Sequence, residues 1–246
     1  MTQIAIVTGA TAGLGEIIAR TLHGAGYRVA VTGRNLARAL EIAAELDNTG
    51  ETAVGLELEI ARRDHFEAAL ARLAEKWGHV DVLVNNASVT RAQPVLDITT
   101  EEFNEVMSIN AGGTFTGSQV FGRHFRERGY GRIINLASLA GQNGGTATGA
   151  HYAASKGAIL TLTKVFARDL APFGVTVNAI APGPLDSPIV HRTIPADRMP
   201  GVLSTIPVGA LGSQAFVART VRHLASPDAG FVTGATWDIN GGLYLR

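Results

Sequence analysis

The chain has 246 residues, of which 46% are hydrophobic and 17% charged, and its 21 basic and 21 acidic side chains give a formal net charge of zero. Because it has neither a basic block nor an excess of positive charge, the sequence excludes the electrostatic pattern of proteins that bind nucleic acid or an anionic membrane surface. The absence of cysteine excludes disulfides and thiolate metal sites.

Short β-branched runs alternate with longer helical patterns along the chain. The predicted strands are Ile4–Val7, Val29–Val31, Ala53–Leu56, Val80–Val84, Ile133–Leu136, Val175–Ile180 and Thr236–Ile239. The predicted helices are Leu14–His23, Leu36–Leu46, Asp64–Trp77, Glu101–Arg128, Ala153–Leu170 and Gln214–Leu224. Because the strands are apolar throughout and alternate with helices, the pattern predicts an α/β fold, a doubly wound sheet of seven mostly parallel strands with helices on both faces.

The sequence contains no repeat or linker, and we expect one domain spanning residues 1–246. Residues 182–213 form the one long irregular stretch and are rich in Pro and Gly, which is typical of a loop that closes over a substrate. The chain has no charged leader and no run of about 18 apolar residues, so we expect a cytoplasmic protein.

A glycine-rich segment, Thr8–Gly15, follows the first strand directly and opens the first helix. In this position Gly9 permits a tight turn, Gly13 lets the backbone approach a pyrophosphate, and Gly15 lets the helix pack closely on the sheet. The free N–H groups of the helix N-terminus favour an anion at the same place. The segment therefore predicts a dinucleotide phosphate site, the alternative being a turn that serves packing alone.

Tyr152 and Lys156 are one helical turn apart, which places a phenol and an ammonium on the same face of a predicted helix. A unit charge about 4 Å away at an effective dielectric of about 20 contributes about 4 kcal/mol, enough to lower the pKa of a tyrosine toward neutrality. The pair therefore predicts an acid catalyst. An amphipathic helix with an exposed lysine and a half-buried tyrosine is the alternative.

The glycine spacing and the Tyr-x-x-x-Lys pair together resemble the short-chain dehydrogenase/reductase family. Further family marks follow in chain order, namely Asn85–Asn86–Ala87, Asn110, Ser138 and Pro182–Gly183. The resemblance covers essentially the whole chain. It implies an NAD(P)-binding Rossmann domain, an NAD(P)(H)-dependent oxidoreductase acting on a carbonyl/alcohol pair, and a homotetramer.

The same resemblance implies four catalytic residues. Tyr152 would exchange the proton with the substrate oxygen, while Lys156 would lower the Tyr152 pKa and bind the nicotinamide ribose. Ser138 would hydrogen-bond the carbonyl oxygen, and Asn110 would hold a water of the proton relay where its helix kinks near Gly112.

The preferred cofactor is read from the end of the second predicted strand. An acidic residue there binds the ribose of NAD, but this chain has Gly33 followed by Arg34, whose guanidinium suits a 2′-phosphate. We therefore expect NADP(H), with NAD(H) as the second option. The implied cofactor-binding residues are Gly9, Thr11, Gly13, Leu14, Gly15, Arg34, Glu59, Ile60, Asn86, Ala87, Tyr152, Lys156, Pro182, Gly183, Leu185 and Ser187.

Two other features bear on the site. The segment from Ser138 to Tyr152 is one residue longer than the commonest family spacing, which affects specificity more than catalysis. We expect a structural role for His151, because a residue beside Tyr152 on a helix points elsewhere. The histidines show no metal-binding spacing, so no metal site is predicted.

The leading functional hypothesis is a ketoreductase of 3-oxoacyl thioesters carried on acyl carrier protein or coenzyme A. It depends on Ile206–Gly209 and Asp238–Gly242, which resemble the acyl reductases of the family. Arg123, Arg126 and Arg128 are the candidate patch for an acidic carrier. Alternatives are an NAD(H)-dependent dehydrogenase of a secondary alcohol or cyclic ketone, and a dinucleotide-sensing regulator without turnover. A methyltransferase would need an acid where Gly33 stands.

Overall fold

A seven-stranded parallel sheet forms the centre of the molecule. The computed structural model describes residues 2–145 and 148–246. The strands lie in the order β3-β2-β1-β4-β5-β6-β9, and every neighbouring pair is parallel. Their bounds are β1 Ile4–Val7, β2 Arg28–Gly33, β3 Ala53–Glu57, β4 Val82–Asn85, β5 Gly131–Leu136, β6 Val175–Pro182 and β9 Thr236–Ile239. The predicted fold class is confirmed, and within the described residues all seven strands of this sheet are parallel.

Helices cover both faces of the sheet. Their bounds are α1 Gly13–Gly24, α2 Leu36–Leu46, α3 Arg63–Trp77, α4 Thr100–Met107, α5 Gly113–Arg128, α6 Ala140–Asn143, α7 Ala150–Leu170, α8 Pro188–Thr193, α9 Met199–Ser204 and α10 Gln214–Ala225. Within the described residues, no helix has both the length and the hydropathy needed to cross a bilayer.

Alternating strand residues supply two separate cores. In β1, Ala5 and Val7 pack with α1, α2 and α10, whereas Ile4 and Ile6 pack with α3, α5 and α7. All four side chains are essentially inaccessible to solvent. Because successive side chains of a strand point to opposite faces, an uninterrupted apolar strand needs helices on both sides.

The segment predicted as one helix, Glu101–Arg128, is divided into α4 and α5 by a π-helical turn at Ser108–Gly112. Such a turn inserts an extra residue into the helix and is frequent at functional sites. It lies beside Gly112, where the kink was predicted. Helix α7 begins at Ala150, three residues before its predicted start at Ala153.

The stretch 182–213 is more ordered than expected. Two short strands, β7 Leu185–Asp186 and β8 Gly212–Ser213, pair in parallel and close its base, and α8 and α9 lie between them. The Gly212 amide also donates to the Pro184 carbonyl at 2.8 Å. We refer to residues 187–211 as the lid segment.

Candidate active site

A cavity of about 610 Å³ opens at the carboxyl ends of the strands, where the chain order reverses between β1 and β4. Ligands of open α/β sheets bind at this switch point. Of the predicted site residues, those that line the cavity are Gly9, Thr11, Leu14, Gly15, Arg34, Glu59, Ile60, Asn86, Ala87, Ser138, Tyr152, Lys156, Pro182, Gly183 and Leu185. Gly13, Asn110 and Ser187 do not line it.

The loop between β1 and α1 is fixed to the end of β4. The Thr8 hydroxyl accepts from the amides of Asn86 and Ala87, at 3.0 and 3.1 Å. The Asn86 amide side chain donates to the Thr8 carbonyl at 3.0 Å. A Cβ at position 15 would overlap the Gly9 carbonyl, so only glycine allows the start of α1 to approach this turn. The arrangement leaves backbone N–H groups at the N-terminus of α1 free for an anion.

Gly13 and Ser187 lie at the edges of this cradle. Gly13 has a φ of +56° and is exposed at the first residue of α1, next to the cavity-lining residues Ala12 and Leu14. The Ser187 hydroxyl accepts from the Val190 amide at 3.4 Å and so caps α8 at the start of the lid segment.

Arg34 lies exposed on the wall of the cavity, immediately after β2. Among the described residues it has no ion-pair partner, whereas Arg38 of α2 pairs with Glu16, Glu41 and Glu45. A Cβ at position 33 would be 2.7 Å from Cγ2 of Thr11, so an acidic side chain could enter there only if Thr11 moved. The wall of the cavity therefore carries a guanidinium at position 34 and no carboxylate at position 33.

Tyr152 and Lys156 both reach the cavity from α7. The Lys156 side chain is buried, and its Nζ donates to the Leu136 carbonyl at 2.7 Å. Its Nζ lies 5.6 Å from the centroid of the Tyr152 ring. Burial lowers the pKa of Lys156 to about 8, because the charged form loses hydration.

The expected acidification of Tyr152 by Lys156 is not found. Burial raises the pKa of Tyr152 above its ordinary value, and hydrogen bonding with the hydroxyls of Ser138 and Thr90 acts in the opposite direction. The ammonium faces the end of β5, so desolvation of the phenol outweighs charge stabilisation.

Ser138 lies just past β5 and is oriented by the backbone. Its Oγ accepts from the Ala140 amide at 3.1 Å, at the first residue of α6. Because that bond uses only a lone pair, the Ser138 proton is available to donate to the Tyr152 oxygen or to a ligand in the cavity.

Asn110 is fully buried in the π-helical turn, one layer behind the cavity. Its Oδ1 accepts from the Val89 amide at 2.8 Å, and its Nδ2 donates to the Val89 carbonyl at 2.9 Å and to the Ser155 hydroxyl at 3.0 Å. The Ser155 hydroxyl donates in turn to the Tyr152 carbonyl at 2.7 Å. Both donors of the Asn110 side chain are therefore engaged, and neither is free for the expected water.

The His151 side chain binds the backbone within the first turn of α7. Its ring is buried, and Nδ1 accepts from the Tyr152 amide at 2.9 Å, which assigns the remaining proton to Nε2. No partner for Nε2 occurs in ranges 2–145 and 148–246. The ring acts on the backbone of Tyr152 rather than on its phenol.

Thr90 and Ser155 are among the residues of the site that were not predicted. Thr90, on the loop after β4, lines the same cavity as Tyr152, and Ser155 joins Asn110 to α7. The sequence did contain a signal for Thr90, because this residue follows Asn85–Asn86–Ala87 closely and so belongs to the carboxyl edge of the sheet. The basic patch predicted for an acidic carrier lies at the opposite edge of the sheet from the cavity. Arg128 contacts Val80 and Asp81, just before β4, and Arg126 stacks on Phe173.

Over the described ranges, the structure contains no group of three or more His, Asp or Glu side chains that could hold a metal ion.

Comparison with known proteins gives a consistent result. The family described as short chain dehydrogenase matches residues 3–197. The chain is 36% identical to the 3-oxoacyl-[acyl-carrier-protein] reductase FabG of Escherichia coli K12, over 99% of this chain and 98% of the relative. It is 37% identical to the short-chain reductase protein NovJ of Streptomyces niveus, over 98% of this chain and 93% of the relative.

Among solved structures, a short chain dehydrogenase from Bacillus anthracis superposes with a TM-score of 0.89 at 30% identity. The superposition covers 99% of this chain and 97% of the other. Sequence and structure thus agree over nearly the full length.

Proposed function

Because the chain belongs to the short-chain dehydrogenase family and is an oxidoreductase of carbonyl and alcohol groups, we propose that it is an NADP(H)-dependent ketoreductase of 3-oxoacyl thioesters. The observation that carries this proposal is the placement of the Tyr152 phenol and the Ser138 hydroxyl in the same cavity as the glycine-rich cradle of α1.

The residues of the cavity have separate tasks in the proposed reaction. A bound NADPH supplies the hydride. Tyr152 donates its proton to the substrate oxygen, and Ser138 donates a hydrogen bond to the same oxygen. Lys156, with three donors and one of them on Leu136, keeps two for the ribose hydroxyls and the phenolate.

The cofactor preference depends on Arg34. We expect Arg34→Asp to lower kcat/KM for NADPH relative to NADH by about 10- to 150-fold, since a charged hydrogen bond contributes about 1.5–3 kcal/mol. The ratio is measured by nicotinamide absorbance with each cofactor. Arg123→Asp, which makes the same charge change on the exposed surface of α5, is the matched control. An unchanged ratio in Arg34→Asp would refute the NADP(H) proposal.

The substrate proposal is supported by the names of the relatives and by the two motifs that resemble acyl reductases. These motifs contact each other, because the Val208 amide donates to the Gly241 carbonyl at 3.2 Å. The Ile239 carbonyl accepts from Gly183 at 2.9 Å, so the motifs support the base of the lid segment.

A substrate panel tests the proposal. Purified protein is assayed with NADPH and with acetoacetyl-CoA, an acetoacetyl pantetheine thioester, ethyl acetoacetate and cyclohexanone. We expect kcat/KM for the thioesters to be at least about tenfold higher than for cyclohexanone. Contacts with the part of the thioester remote from the ketone would supply binding energy that lowers the barrier at the reacting carbonyl. Faster reduction of cyclohexanone, or a preference for NADH, would support the alternative alcohol dehydrogenase.

We also propose a cytoplasmic homotetramer. Exposed apolar side chains on α4, α5 and α7, namely Phe103, Phe115 and Val165, supply a surface for subunit contact. Light scattering is expected to give about four times the 25.7 kDa mass of one chain. A monomer at assay concentration would contradict this assembly.

A further inference from the structure

Thr90 occupies an unusually constrained position for a loop residue. It belongs to the segment between β4 and α4 and lines the cavity next to Ser88 and Val89. Its side chain is accessible, so no packing requirement explains why a hydroxyl faces the site. The residues on both sides of it are held by buried parts of the molecule.

The Val89 side of the loop is fixed by Asn110. Both the amide and the carbonyl of Val89 are bound by that fully buried carboxamide, at 2.8 and 2.9 Å. Because one side chain holds the N–H and the C=O of Val89, the two peptide units on either side of its Cα have little freedom to rotate. The direction in which the chain enters Thr90 is therefore set by the π-helical turn.

The Arg91 side of the loop is fixed by α7. The Arg91 carbonyl accepts from the amide of Gly149, the N-cap residue of the helix that carries Tyr152, at 2.9 Å. The Arg91 side chain pairs with Glu105 of α4 at 2.9 Å. Thr90 is thus positioned relative to Tyr152 by the same helix.

From these anchors we infer that Thr90 is a further catalytic residue, whose hydroxyl donates a hydrogen bond to the Tyr152 oxygen and stabilises the phenolate that remains after the proton passes to the substrate. The inference rests on the proposed acid/base role of Tyr152. The step is balanced: the Tyr152 O–H bond breaks, the substrate O–H bond forms, and the phenolate is later reprotonated from solvent.

The other polar groups around the phenol do not replace this donor. Ser138 is required by the substrate oxygen, and Lys156, with one donor on the Leu136 carbonyl, divides its other two between the ribose hydroxyls and the phenolate. Arg34 and Glu59, the other titratable groups of the described cavity lining, follow β2 and β3 at the far end of the crevice. His151 binds the Tyr152 amide, and Arg91 is paired with Glu105.

The sign of the expected pH effect follows from the proton balance. Carbonyl reduction requires the phenol and alcohol oxidation requires the phenolate. Burial raises the Tyr152 pKa, and hydrogen bonding from Ser138 and then from Thr90 lowers it. Loss of the hydroxyl should therefore raise that pKa and move the rising limb of the oxidation profile to higher pH.

The test compares wild type, Thr90→Val and Thr90→Ser in the NADP⁺-dependent oxidation of 3-hydroxybutyryl-CoA across pH. In Thr90→Val we expect the rising limb of the kcat profile to shift to higher pH by about one unit. At pH values below that limb, kcat of Thr90→Val should be about tenfold lower than that of wild type. Thr90→Ser should stay close to wild type. Thr21→Val, on α1 and away from the cavity lining, is the matched control.

A second measurement needs no substrate. The titration of Tyr152 is followed by the absorbance of tyrosinate and isolated by subtracting the curve of Tyr152→Phe, with and without Thr90→Val. A rise in its midpoint of about one unit in the Thr90→Val background supports the inference. If Thr90→Val lowers the rate equally at all pH values, or Tyr152 titrates at an unchanged pH, the inference is overturned. Turnover by Tyr152→Phe would instead overturn the proposed acid.

Discussion

Tyr152→Phe is expected to lower kcat for NADPH-dependent ketone reduction by about 10³-fold, within the range that a positioned general acid contributes. The change removes the oxygen that donates the proton and leaves the ring in place. Cofactor binding should change little, because the glycine-rich cradle and Arg34 remain intact. The measurement is nicotinamide absorbance under saturating NADPH, with the dissociation constant of NADPH taken from its fluorescence.

Tyr130→Phe is the matched control for this variant. The Tyr130 hydroxyl donates to Gln3 at 2.9 Å, before β5 at the opposite edge of the sheet, so the same atom is removed far from the cavity. We expect its kcat to stay within about twofold of wild type, because surface changes have small effects. Near-normal turnover by Tyr152→Phe would remove Tyr152 as the acid.

Asn110→Ala is expected to lower both stability and activity. The fully buried amide makes three hydrogen bonds, and its loss leaves the amide and carbonyl of Val89 without partners. At about 1–3 kcal/mol for each of these two groups, the free energy of unfolding should fall by about 2–6 kcal/mol. We expect kcat to fall as well, since the loop bearing Thr90 loses its anchor.

The effects of Asn110→Ala are measured by urea denaturation and by steady-state kinetics on the same preparation. Asn104→Ala, on the exposed surface of α4, should stay within about 0.5 kcal/mol of wild type. An unfolding free energy equal to that of wild type would show that the Asn110 clamp on Val89 contributes nothing in solution.

The fold could be predicted because the sequence pattern directly reflects burial. Strands such as Ile4–Val7 are apolar at every position, which is compatible only with a sheet covered on both faces. The family resemblance indicated a kink near Gly112, but the apolar pattern gave no sign of the π-helical turn at Ser108–Gly112, because one inserted residue hardly disturbs the spacing of apolar residues in a long helix. The two-residue strands β7 and β8, which close the base of the lid segment, pair across 26 intervening residues and leave no local signal.

The candidate site was predicted in part. Tyr152 and Lys156 share a helix face, as their spacing requires, and both line the cavity. The predicted direction of the Tyr152 pKa was wrong because burial of the phenol raises the pKa, whereas the prediction considered only the charge of Lys156. Contacts such as Lys156 with Leu136, or Asn110 with Val89, join distant segments and become visible only once the sheet is assembled.

The position of the substrate carbonyl relative to Tyr152 tests the account most directly. It is measured in a crystal structure of the protein with NADP⁺ and a non-reducible 3-oxoacyl thioester analogue. We predict that the analogue's ketone oxygen lies within hydrogen-bond distance of both the Tyr152 and the Ser138 hydroxyls, with its carbonyl carbon over the nicotinamide. An analogue bound with its ketone away from Tyr152, or a nicotinamide outside this cavity, would contradict the account.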